Sequence, residues 1–157
     1  MFKVEEISRN LCFDKGGYWK ANSDEEVSYP SEGNEVYAEL EETSFWFKHR
    51  NETIIAAIEN FPPSSAIFDI GGGNGYVSKN LIDNGFDCVL IEPGVSGASK
   101  VVERGVKDVV CATVESAEFR SHSIPSVGLF DVIEHIKDDL AFLKNIHSLE
   151  AVWKFQT

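Results

Sequence analysis

The chain has 157 residues, enough for one domain with a real hydrophobic core, and its 43% apolar and 25% charged residues are those of an ordinary globular protein. Its formal net charge of −12 repels phosphate backbones, and the densest basic run, Lys48-His49-Arg50, reads as a solvated helix face. Composition therefore excludes nucleic acid as an expected partner.

The first 44 residues are polar, acidic and dotted with aromatics, and "SDEEVSYPSEGNE" reads as loop. "TSFWFKHRNETIIAAIENF" is predicted to be a helix, with Ser44 as N-cap in competition with Thr43, and with Ile54, Ile55 and Ile58 on one face. Phe45, Trp46 and Phe47 are expected to pack rather than face water. Pro62 to Ser65 end this helix, dividing a leader (1–61) from a core (62–157).

Beyond that hinge, strands and helices alternate. Strands are predicted at 66–70, 87–92, 107–113 and 126–133. Helices are predicted at 75–84, 96–104 and 137–149, the first two closed by Gly85 and Gly105 in the C′ position. In the last helix Leu140, Leu143 and Ile146 or His147 are expected to face inward. This alternation predicts an α/β fold with a mostly parallel sheet, whose ligands bind outside the carboxyl ends of the strands at the topological switch point.

"FDIGGGNGYVS" leaves the first core strand there. Four glycines in five positions imply that something must come almost into contact with the main chain. The dinucleotide fingerprint fits in neither frame, because Tyr76 or Ser78 stands where its third glycine belongs. The spacing that does fit is Asp-x-Gly-x-Gly-x-Gly, over Asp69, Gly71, Gly73 and Gly75, with Gly72 between. This resembles motif I of the class I S-adenosylmethionine-dependent methyltransferases. The resemblance implies a three-layer Rossmann-like fold and S-adenosylmethionine as cofactor. The glycines would lie against its methionine tail, with Asp69 near the ammonium and the following helix N-terminus near the carboxylate.

The second strand ends "VLIEP", putting Glu92, beside Pro93, about 20 residues past the loop, where a carboxylate can accept from both ribose hydroxyls. By the same resemblance Glu92 is the ribose acid, and Val114 and Glu115, after the third strand, meet the adenine amino group. "DVIEH" in "VGLFDVIEHIKDD" is similar to the end of the fourth strand in small-molecule members of that family. It implies that Phe130 and Asp131 lie near the methionine end, with His135 at the mouth, where an imidazole could take a proton from the acceptor. Methyl transfer there is an in-line displacement, for which positioning supplies much of the rate.

That family's usual sheet has seven strands. Four are clear here and "AVWKF" is a candidate fifth, so strands six and seven are expected to be missing. The exposed sheet edge would then need covering by the leader or by a second copy of the chain in a homodimer. The leader is itself a candidate lid over the acceptor pocket. The first functional reading is methyl transfer to a small-molecule or sugar-like acceptor. The second is a truncated cofactor-binding domain without turnover, and the third an NAD(P)-dependent oxidoreductase.

Cys12, Cys88 and Cys111 form no CxxC pair, so no metal site is expected, and they read as reduced thiols of a cytoplasmic protein, the latter two buried. No apolar stretch approaches the ~20 residues of a membrane span, so no membrane association is expected, and "MFKVEEISRN" is too polar for a signal peptide.

Overall fold

The computed structural model describes residues 3–22 and 43–151. The loop expected at "SDEEVSYPSEGNE" and all but the first residue of "AVWKF" lie outside them. Six strands form one sheet: β1 (Leu11–Phe13), β2 (Trp19–Ala21), β3 (Ile67–Ile70), β4 (Cys88–Ile91), β5 (Val109–Cys111) and β6 (Ser126–Gly128), in the order β1-β2-β5-β4-β3-β6. Every neighbouring pair is parallel except the β1–β2 hairpin. This mixed α/β sheet, parallel except for one hairpin, agrees with the mostly parallel Rossmann-like sheet expected from the sequence.

The strands of β3 and β4 are buried along their whole length, as parallel strands covered on both faces must be. Their side chains alternate. Phe68, Ile70, Val89 and Ile91 enter one core with Val4 and Ile7 of α1 (Val4–Ile7) and Ile146 and Leu149 of the last helix, α5 (Asp139–Leu149). Ile67 and Cys88 face Ile55 of α2 (Phe45–Asn60) and Leu81 of α3 (Tyr76–Asp83), while Leu90 meets Val101 of α4 (Val95–Glu103). Helices α1 and α5 thus lie on one side of the sheet, and α2, α3 and α4 on the other.

Local chemistry sets the helix ends. The Ser44 hydroxyl accepts from the Trp46 amide at 3.2 Å and starts α2. Gly85 and Gly105, at φ 88° and 87°, close α3 and α4 as expected from their C′ positions. No helix of the described residues is long and apolar enough to cross a membrane.

Four local expectations change. The N-terminal residues are not leader alone: a turn in which Asp14 accepts from the Gly16 and Gly17 amides folds β1 on β2, and β2 pairs with β5. That hairpin extends the edge opposite β6, so it does not cover β6. Alongside the approach to β6 runs the chain leaving α5, with the Ala151 amide 2.7 Å from the Ile124 carbonyl. The fourth core strand stops at Gly128 rather than 133, because Asp131 turns the chain at φ 57° into a single 3-10 turn, Ile133–His135.

In α5, Leu140 and Leu143 are exposed (60% and 39%), whereas Ile146, not His147, points inward as one of the expected alternatives, joined by Phe142 and Leu149. The helix offers two apolar stripes, and the one carrying the phenylalanine meets the sheet. Phe45 and Trp46 also face water (81% and 60% exposed), since the N-terminus of α3 offers a ring partner only to Phe47, which meets Tyr76 edge-on at 6.3 Å.

In the sheet order, β3 has β4 and β5 on one side and β6 on the other, so the chain reverses direction of travel at β3. The crevice outside the carboxyl ends of β3, β4 and β6 is the switch point.

Candidate active site

The glycine loop opens this crevice. Gly71, Gly73 and Gly75 take φ values of 72°, 54° and 75°, so every second residue lies in the left-handed region. The loop is tied to β4 by the Gly71 amide, which donates to the Ile91 carbonyl at 2.8 Å, and closes on itself from the Gly75 amide to the Gly72 carbonyl at 2.9 Å. A Cβ on Gly72 would stand 2.6 Å from Leu90, so this glycine is needed for packing. Gly73 differs: a Cβ there would meet nothing within 4 Å, and the residue lines both cavities of the crevice.

Asp69, the last residue but one of β3, is fully buried beneath the loop. Its Oδ2 accepts from the Ser78 hydroxyl at 2.6 Å, and its Oδ1 has no hydrogen-bond partner. Burial pushes its carboxyl up from 3.8 to about 6, against the Ser78 hydrogen bond and the Arg50 charge, which both favour the anion. Cys88 completes the chain, its thiol 3.3 Å from the Ser78 hydroxyl, and burial raises that thiol to about 12, which leaves it unreactive.

Glu92 follows β4 and is 5% exposed. Its Oε2 accepts from the Gly73 amide at 3.1 Å and its Oε1 from the Gly94 amide at 2.9 Å. Burial raises its pKa, and the Gly94 and then Gly73 amides oppose that rise. The carboxylate is thereby fixed between the two loops, and each oxygen keeps a second lone pair for a ligand. Gly97 in α4 makes this possible. A Cβ there would fall 2.9 Å from Glu92 Cγ and 3.2 Å from the Gly73 carbonyl.

A cavity of about 610 Å³ extends from Gly71, Gly73, Glu92 and Pro93 past Val114 and Glu115 to α5. Val114 is buried, whereas Glu115 is exposed at the rim and accepts from Asn145 Nδ2 at 3.1 Å. A second cavity of about 290 Å³ lies on the other side of the loop, lined by Asp69, Gly72, Phe130 and Asp131. His135 is exposed and borders both cavities. Phe130 lies over Gly128, where a Cβ would come within 2.3 Å of its ring. Gly75 caps α3 against Val101 and lines neither cavity. The other residues singled out in the sequence all border one cavity or both.

Three residues of the smaller cavity carry no sequence signal strong enough to find them: Phe47, Arg50 and Tyr76. Arg50 stands in the basic run read as a solvated face. Lys48 and His49 are indeed exposed, but the Arg50 side chain is only 18% exposed and lies 2.8 Å from Asp131. A step of about 100° around the helix per residue separates outward from inward, and a charge run alone does not reveal which residue turns in.

The arrangement can hold a vicinal diol on Glu92, a flat group between Val114 and α5, and a charged group beside Gly73. The family described as methyltransferase domain matches residues 46–151, which takes in α2 and every element from β3 to α5. None of the curated proteins matches the chain.

Proposed function

This chain belongs to the methyltransferase domain family, and from that premise we propose that it binds S-adenosylmethionine and transfers the methyl group to a small-molecule acceptor. The observation that carries the reading is Gly73, which is open toward both cavities while its amide holds Glu92 at their junction. Bare main chain beside a fixed carboxylate suits a ligand with a sugar and a charged tail.

The fit is chemical as well as spatial. The larger cavity falls in the size range of small-molecule sites. Glu92 would take the ribose hydroxyls, and Val114 and Glu115 would border the adenine. The smaller cavity would take the methionine end, under Phe130 and Asp131. When bound, the sulfonium would supply an electrophilic methyl carbon, which would pass to the acceptor's lone pair while the carbon–sulfur bonding electrons stay on sulfur and the acceptor gives up its proton. His135, exposed beside both cavities, is the group here that could receive that proton. Positioning by α2 and the turn after β6 would keep acceptor and methyl carbon aligned.

Calorimetric titration of the whole chain with S-adenosylhomocysteine and with NAD tests the reading. S-adenosylhomocysteine should bind and NAD should not. Glu92→Ala should weaken the former by about 1–3 kcal/mol, the worth of a charge-assisted hydrogen bond. No binding of S-adenosylhomocysteine at millimolar concentration overturns the proposal.

A further inference from the structure

The edge of the sheet at β1 lies away from the crevice and takes no part in it. β1 ends the sheet order, so among the described residues no strand lies beyond it. It runs antiparallel to β2, with Leu11 opposite Ala21, Cys12 opposite Lys20 and Phe13 opposite Trp19. The Asn22 amide donates to the Asn10 carbonyl at 3.0 Å, and the Asp14 amide to the Tyr18 carbonyl at 2.8 Å. Hydrogen-bonded and non-hydrogen-bonded pairs alternate along such a ladder, so Asn10, Cys12 and Asp14 turn their main chain toward β2. Leu11 and Phe13 turn theirs outward, presenting two amides and two carbonyls. These two residues also share a face, where Leu11 packs half-buried against the core. Phe13, edge-on to Trp19 at 5.2 Å, stays 61% exposed there. Cys12, on the other face, is exposed as well. The run from Arg9 to Lys15 holds two cations and one acid, whereas the whole chain carries a charge of −12.

We propose that a second copy of the chain docks on this edge: β1 pairs antiparallel with β1 of the other copy about a two-fold axis at Cys12, and the two sheets become one. Leu11 of each copy then stands opposite Phe13 of the other, and the two such pairs exchange four main-chain hydrogen bonds. Each Phe13 ring gains an apolar neighbour across the strands in place of water. The length of the edge favours a copy over a foreign peptide. The window is three residues long, closed on one side by the turn at Asp14 and on the other by the bridge of Ser8 to Phe119. A flexible peptide would lose more conformational entropy there than four bonds offset. A second β1 is already ordered, has the same length and is symmetric about its middle residue. Charge points the same way. Net charge opposes the meeting of two such acidic chains, and least so where the local run is faintly positive. The inference is independent of the cofactor reading.

The test is the mass of the full chain in solution and the place where two copies touch. Light scattering at submillimolar concentration should give twice the 17.5 kDa of one chain, falling toward one chain on dilution. Phe13→Pro removes an outward donor that the β1–β2 ladder does not use, as edge strands tolerate, and should weaken association at least tenfold. Phe13→Lys keeps that donor but sets a desolvated charge against Leu11 of the other copy, and should weaken association as well. Oxidation by copper(II) phenanthroline locates the axis. Residues opposed in a non-hydrogen-bonded pair stand about 4.5 Å apart at Cα, within disulfide reach. Two Cys12 thiols would give up two protons to buffer and two electrons to two copper(II) ions, forming one S–S bond between copies. Cys88 and Cys111 are buried and should not react. The cross-linked dimer should form in wild type, fall in Phe13→Pro and vanish in Cys12→Ser. A monomer at every concentration overturns the proposal. So does a dimer that both Phe13 variants leave intact, or one that gives no Cys12 cross-link.

Discussion

Burial holds the Asp69 carboxyl at about 6, so the folded chain binds a proton more tightly there than the unfolded chain, whose group titrates near 3.8. Stability from this group is therefore greatest below pH 4, declines as pH rises to about 6, and is flat above. The gap between the two values corresponds to roughly 3 kcal/mol. Urea unfolding of wild type and Asp69→Asn from pH 4 to 7 should show the wild type losing stability relative to the variant by up to that amount; a difference independent of pH would refute it. Gly73 gives a second residue-scale test. An alanine there meets no atom but takes φ 54°, so Gly73→Ala should cost about 1 kcal/mol of stability. Its methyl group would stand where we place the ligand, and S-adenosylhomocysteine affinity should fall by more than tenfold. Both residues stand out in the sequence because their chemistry depends on the local chain: an acid ending a strand, and a glycine where a side chain cannot go. Arg50 does not stand out, because its role comes from Asp131, 81 positions away in the chain.

At the scale of elements, α5 shows what periodicity can and cannot tell. Leu140, Leu143 and Ile146 form as good a stripe as Phe142, Ile146 and Leu149, and only the second faces the sheet. Leu140→Gln should change stability by less than about 0.5 kcal/mol, the usual range for surface positions. Ile146→Ala, which deletes a buried side chain shared by both stripes, should cost about 2–5 kcal/mol. Thermal unfolding of the two variants checks the orientation, and a large loss for Leu140→Gln would contradict it. Elements with strong local signals were legible: the N-cap Ser44, the capping glycines Gly85 and Gly105, and the apolar runs of β3 and β4. The strands β1 and β2 were not. Each has three residues and little alternation, and they are completed by pairing with each other and, through β2, with β5.

For the molecule as a whole, 26 acidic residues stand against 14 basic ones. Self-repulsion of that size opposes compaction, and salt screens it. Raising sodium chloride from about 10 to 150 mM, which shortens the screening length, should therefore raise the melting temperature. A flat or falling profile would mean that specific ion pairs, such as Arg50–Asp131, outweigh the net charge. Ligand binding acts on the same quantity. At a hundred times its dissociation constant, S-adenosylhomocysteine should add about 2.7 kcal/mol, read as a rise in melting temperature that Glu92→Ala diminishes.

Backbone necessities were written locally. Where glycine alone fits, where a strand must be apolar on both faces and where a helix must stop, neighbouring residues suffice to say so, and from these came the α/β class, the loop and the acid after β4. Distance in the chain hid the rest: the hairpin beside β5, the face α5 presents, and the inward turn of Arg50 toward Asp131. Each of these depends on a partner that the folded sheet brings near, and a side chain has no fixed inside or outside until that partner arrives.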